Sequence, residues 1–137
     1  QVTKHLAATR LVVGEPIPVV PDLLYWSLHH NPGAAFSMGT QFTVALAVLA
    51  LVVVVVLVTV VAPRINDWLL AVAIGWLIAG VAGNLTDRLL RDPGPFQGHV
   101  VDFIAVRGFA IFNVADMCIT GAAILLVIWS IRSERGR

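Results

Sequence analysis

Charge is scarce in this chain. Lys, Arg, Asp and Glu make up 12% of its 137 residues, against about 25% in an average soluble domain. With 58% hydrophobic residues and a mean hydropathy of +0.89, the composition excludes the soluble classes and points to the bilayer. Basic clusters are missing as well, and the net charge is only +1, so no nucleic-acid partner is expected. A single cysteine, Cys118, excludes an internal disulfide and leaves the redox compartment open. His29 and His30 have no third ligand at metal-like spacing, and neither a metal nor another cofactor is expected. No internal repeat is visible, and at this length one bundle is the natural domain count.

Long apolar runs dominate what remains. Phe42–Ala62 contains no charge and is the clearest membrane span, at the ~20 residues a bilayer requires. Pro63–Asp67 is a short turn, and Trp68–Asp87 reads as the next span, with Gly75, Ala79 and Gly83 as a small-residue packing stripe. A polar loop follows over 88–108, and a last span over 109–131. Residues 1–13 read as the end of a first helix that begins ahead of Gln1. Between them, residues 14–41 carry Pro16, Pro18, Pro21 and Pro32, which favour extended edge backbone, and Tyr25 and Trp26, which suit the headgroup level. The Pro63–Asp67 turn and the carboxyl-terminal tail share a side holding Arg64, Arg132, Arg135 and Arg137 against Asp67 and Glu134, which makes that side cytoplasmic. The expected fold is therefore an all-α membrane protein, a four-transmembrane-helix bundle with a small extracytoplasmic β element, forming one domain over 1–137.

The polar residues of the outer boundary are the functional candidates. Asn84, Asp87 and Arg88 fall at i, i+3 and i+4 at the end of one span, and Asn113 and Asp116 at i and i+3 at the start of another. His99–Ile104 reads as a short strand with Asp102 amid apolar neighbours. A carboxylate inside an apolar span costs about 2.5–3.5 kcal/mol on insertion scales, so Asp116 needs a reason to be there. Two carboxylates brought together in a low-dielectric place share a proton, and such a pair acts as base and acid at once. That is the chemistry of an aspartic peptidase.

The motifs sharpen this reading. Gly83-Asn84-Leu85-Thr86-Asp87-Arg88, Val100-Val101-Asp102-Phe103 and Phe112-Asn113-Val114-Ala115-Asp116 resemble the signature motifs of lipoprotein signal peptidases (signal peptidase II). Asn31-Pro32-Gly33-Ala34-Ala35-Phe36 resembles that family's N-x-G-A-A-F element, and Gln1-Val2-Thr3-Lys4 the end of its D-Q-x-T-K element, whose first residue would precede Gln1. The resemblance implies a four-span aspartic peptidase of the bacterial inner membrane, with a small extracytoplasmic sheet and a surface helix within 14–41. It would remove the signal peptide on the amino side of a diacylglyceryl-modified cysteine, with membrane lipids and that prolipoprotein as partners, as a monomer, with its site on the extracytoplasmic face. It makes Asp102 and Asp116 the catalytic pair, and Asn31, Gly33, Asn84, Asp87, Arg88, Asn113 and Lys4 the residues that bind substrate or support the site. Asp87 is expected to steady Arg88 or the helix end. The loop from Arg88 to Asp102 is longer than the family pattern.

Blander readings stand beside these. Cys118, two residues beyond Asp116, points to another helix face and reads as a small buried hydrophobe. His99 reads as solvated rather than as a tuner of Asp102. A proton-coupled transporter would use the same acids as a relay, but transporters place polar groups at mid-membrane and often show repeats. A non-catalytic scaffold would tolerate loss of either Asp.

Overall fold

Uncharged aliphatic runs set the architecture. The computed structural model describes residues 1–33 and 39–135, and its helices Gln41–Arg64, Trp68–Leu90 and Val114–Arg135 are long and apolar enough to cross a membrane. The chain runs α1 (Val2–Arg10), β1 (Ile17–Val20), β2 (Leu24–Asn31), α2 (Gly39–Val56), α3 (Trp68–Leu90), β3 (Val100–Val106), β4 (Ala110–Phe112) and α4 (Val114–Arg135). At nine residues, α1 is too short to span on its own.

The helix α2 is apolar on every side and little of it is buried within the chain, so lipid is its main neighbour. It continues through a π-helical turn, Leu57–Val61, and a 3-10 turn, Ala62–Arg64. Within the π turn, Thr59 Oγ1 donates to the Val55 carbonyl at 2.7 Å, the acceptor that an α-helical Thr59 N–H would use. Asp67 then caps α3, accepting from the N–H groups of Leu69 and Leu70 at 2.9 and 3.0 Å.

The helices α3 and α4 pack at van der Waals contact through glycine. A Cβ at Gly80 would lie 2.5 Å from the Ala115 carbonyl oxygen, and one at Gly121 would lie 2.6 Å from the Trp76 ring. The stripe expected at Gly75, Ala79 and Gly83 is not this seam. Gly83 meets Ala115, but Gly75 faces open space and Ala79 is exposed. Steps of four residues precess around a helix of 3.6 residues per turn, so the contact line follows Trp76, Gly80 and Gly83 instead.

The strands form one antiparallel sheet in the order β1-β2-β3-β4. Its central pair joins segments that α2 and α3 separate in sequence, with His29 opposite Asp102 and Asn31 opposite Val100. Pro18 sits in the edge strand β1, where a missing N–H costs no ladder bond. Ala7 of α1 docks on this sheet against Leu28, Val101 and Phe103.

Several boundaries differ from the sequence reading. The last helix begins at Val114, because Ala110–Phe112 pairs with Ile104–Val106 across a turn containing Gly108 at φ +72°. The third helix continues to Leu90. The surface helix expected within 14–41 has no counterpart among the described residues 14–33, and Ala34–Phe36 lie outside the described residues.

Candidate active site

The site forms where three chain reversals meet, at the end of α3, the start of α4 and the facing strand β3. Gly98 makes the first reversal possible. Its N–H donates to the Arg88 carbonyl at 3.0 Å, and a Cβ there would lie 2.2 Å from the Asp87 carbonyl oxygen. The long loop thus folds back on the carbonyl end of α3 and delivers β3 beside it. At the start of α4, Asn113 Oδ1 accepts from the Asp116 N–H at 3.2 Å while Asp116 Oδ2 accepts from the Asn113 N–H at 3.0 Å. This reciprocal pattern is that of a capping box, and the positive end of the helix faces the same carboxylate.

Two amides join the carboxylates. Asn113 Nδ2 donates to Asp102 Oδ1 at 2.6 Å and to Asn84 Oδ1 at 3.2 Å, and Asn84 Nδ2 donates to Asp116 Oδ1 at 2.8 Å. Asn31 Nδ2 donates to the other oxygen of Asp102 at 3.0 Å. Asp102 is 3% exposed and Asn113 fully buried. Burial holds the Asp102 carboxyl above its ordinary range, and the Asp116 charge pushes the same way. The Asn31 and Asn113 bonds and Lys4 oppose that shift only in part.

Arg88 and Gly33 meet. A Cβ on Gly33, whose φ is +83°, would stand 3.2 Å from both Nη atoms of Arg88, and Arg88 Nη1 is buried without a partner among the described residues. The Gly33 N–H donates to Asn31 Oδ1 at 2.7 Å, which fixes the face that Asn31 turns to Asp102. Asp87 does not steady Arg88 by a hydrogen bond. Its partners are Lys4 Nζ at 2.6 Å, Arg91 Nε at 2.8 Å and the Val101 N–H at 3.0 Å. Arg91 escaped the sequence reading, although its i, i+4 spacing from Asp87 was the available signal.

A groove of about 470 Å³ opens beside Asp116. It is walled by Phe109, Phe112, Met117, Thr120 and Ile124 and is almost wholly apolar. His99 lies elsewhere, in a cleft of about 550 Å³ with His30, Arg91 and Asp92. His29 contacts Ser27 at 3.1 Å. Among the described residues, no group of three or more His, Cys, Asp or Glu side chains stands where it could hold a metal ion. Cys118 is half-buried in α4.

The positions singled out from sequence therefore converge: Asn31, Asn84, Asn113, Asp102 and Asp116 form one bonded network. Comparison with known proteins bears on its meaning. Residues 1–132 match the family model for signal peptidase (SPase) II. The chain belongs to the signal peptidase II family. It is 46% identical to the lipoprotein signal peptidase of Mycobacterium avium (strain 104) and 43% to that of Mycolicibacterium smegmatis, over 95% of this chain in each case. The lipoprotein signal peptidase of Streptomyces coelicolor is 44% identical over the same share. The chain spans 71%, 55% and 63% of the length of these three relatives. Two solved bacterial membrane enzymes superpose at TM-scores of 0.81 and 0.83, with 33% and 31% identity, covering 93% and 100% of this chain and 82% and 83% of theirs. Signal peptidase II is a membrane peptidase family, and this member has its polar network at the ends of two candidate spans.

Proposed function

We propose that this signal peptidase II family member is an aspartic endopeptidase. It removes signal peptides from diacylglyceryl-modified prolipoproteins, on the amino side of the lipid-modified cysteine. The observation that carries the proposal is the amide-linked pair Asp102 and Asp116, of which Asp116 lines an apolar groove. Asp102 keeps a proton to a higher pH than an ordinary carboxyl, so it is the acid and Asp116 the base. Asp116 takes a proton from water, the water oxygen attacks the peptide carbonyl, and Asp102 donates its hydrogen to the developing oxyanion. Collapse of the tetrahedral intermediate passes a proton to the leaving amine and breaks the C–N bond. Arg88, with a buried N–H free among the described residues, is the donor for a substrate carbonyl.

The groove supports a lipid-modified substrate. An acyl chain brings no polar groups that its apolar walls would leave unsatisfied, whereas an extended peptide backbone would. The same reading takes α1 as the outer end of a fourth span and residues 1–137 as one peptidase domain. It sets the protein in the bacterial cytoplasmic membrane, with the dyad at the extracytoplasmic face.

A gel-shift cleavage assay in lipid, with the full-length protein and diacylglyceryl-modified prolipoprotein, tests the proposal. Asp102→Asn and Asp116→Asn should each lose on the order of 10²–10⁴-fold or more in rate while remaining folded. Full activity in either variant would sink it.

A further inference from the structure

A buried ion pair adjoins the polar network through Asn84. The side chains of Lys4 and Asp87 are 2% and 0% exposed and pair at 2.6 Å. A buried ion pair is a poor source of stability, because desolvating two charges offsets much of their attraction. Its partners suggest another use. Lys4 Nζ donates to Asn84 Oδ1 at 2.8 Å as well as to Asp87, and reaches the Gly83 carbonyl at 3.4 Å. Asn84 Oδ1 thus receives two donors, Lys4 and Asn113 Nδ2, and this turns its NH₂ toward Asp116. Reversing that amide would set its NH₂ against an ammonium and its oxygen against a carboxylate. Asp87 Oδ2, which holds the ammonium, also accepts from the Val101 N–H at 3.0 Å, one residue before Asp102.

We infer that the Lys4–Asp87 pair is a positioning device that acts on both catalytic carboxylates. Through Asn84 it guarantees that Asp116 faces a donor, and through Val101 it pins the strand that carries Asp102 to the end of α3. The inference rests on the peptidase reading above. Neither residue touches the substrate; each acts through a neighbour. The pair also explains how α1, with few other buried residues, is tied to the site.

The test uses full-length protein in lipid vesicles, with steady-state cleavage of diacylglyceryl-modified prolipoprotein followed across pH. Three variants are compared: Lys4→Met, Lys4→Gln and the double variant Lys4→Met/Asp87→Asn. The double variant removes both charges of the pair, so the folding penalty of an Asp87 deprived of its ammonium is removed. It should nevertheless lose about 10²-fold in kcat, the penalty of a misplaced catalytic group, with KM little changed. Its pH profile should also depart from the parent's, because Asn84 is then free to turn its oxygen on Asp116. Lys4→Gln keeps an N–H donor for Asn84 and should retain more activity than Lys4→Met, although both deprive Asp87 of its ammonium partner and leave it only Arg91 and the Val101 N–H. Recovery of parental kcat and pH profile by the double variant would overturn the inference, as would equal losses in Lys4→Met and Lys4→Gln. A parent that cleaves nothing would instead overturn the peptidase reading.

Discussion

Asp102 is the residue whose environment says most about the chemistry. Its carboxyl sits above the ordinary range because burial penalises its charge, with Asp116 adding to the effect. The proposed mechanism uses Asp102 protonated, so the alkaline limb of kcat/KM should lie above the usual carboxylate range. Asn31→Ala removes a donor to the Asp102 carboxylate and should move that limb to still higher pH; a limb that stays in place would separate Asn31 from the dyad. The same shift has a signed consequence for stability. The folded chain binds this proton more tightly than the unfolded chain, so the contribution is fully present below the unfolded pKa and is lost as pH rises through the folded one. The melting temperature of the parent relative to Asp102→Asn should therefore fall with rising pH, and a rise would contradict the assignment. Gly33 makes a separate demand. Its φ of +83° and the 2.7 Å approach of Leu46 Cδ1 to a notional Cβ leave no room for a side chain. Gly33→Ala should cost roughly 1–2 kcal/mol from the left-handed backbone alone and displace Arg88, lowering both the melting temperature and kcat/KM.

Helix contacts decide whether the carboxylates meet. Gly80 of α3 abuts the first turns of α4, where Ala115 directly precedes Asp116, so any side chain there pushes the catalytic turn away. Gly80→Ala should reduce cleavage by about 10²-fold, as for a displacement near 1 Å. Gly75→Ala meets nothing within 4 Å; it should leave activity intact and add up to about 1 kcal/mol of helix propensity. Parallel kinetics and thermal unfolding of the two variants check both statements. The contrast also marks the limit of legibility. Spacing alone placed Gly75 and Gly83 on one stripe, because residues four apart look equivalent in sequence, and only the partner helix reveals which glycine is covered. The membrane-crossing runs, the strand carrying Asp102 and the clustering of Asn31, Asn84, Asn113 and Asp116 were legible because charge is rare in apolar runs. The strand β4 was not, since Ala110-Ile111-Phe112 is as apolar as the helix after it and its pairing with Ile104–Val106 is non-local. Lys4 was legible only through motif resemblance, because its partners lie about eighty positions away.

The polar network, the sheet and the loop between α3 and β3 gather at one end of the bundle, and Arg64, Arg132 and Arg135 lie at the other. Arg132 of α4 stacks over Trp68 at the start of α3, 5.9 Å from the ring centroid, which joins those helix ends at the interface level. Arg64 closes the end of the first long helix on the same side. The proposed orientation puts the Arg64, Arg132 and Arg135 end in the cytoplasm and the dyad outside, where lipid-modified substrates would present their cleavage site. Single cysteines on a Cys118→Ala background make the arrangement measurable. With an impermeant thiol reagent on intact cells, Arg107→Cys in the β3–β4 turn should label, while Asn66→Cys between the long helices and Arg135→Cys should label only after permeabilisation. A reporter on the amino end of the full-length protein should read as cytoplasmic, because α1 meets α3 at the dyad end and any span ahead of it must cross back. External labelling of Asn66→Cys would invert the molecule and put the dyad on the cytoplasmic side. An external amino end would remove the fourth span, leaving α1 as a surface element held by Lys4 and by Ala7 on the sheet.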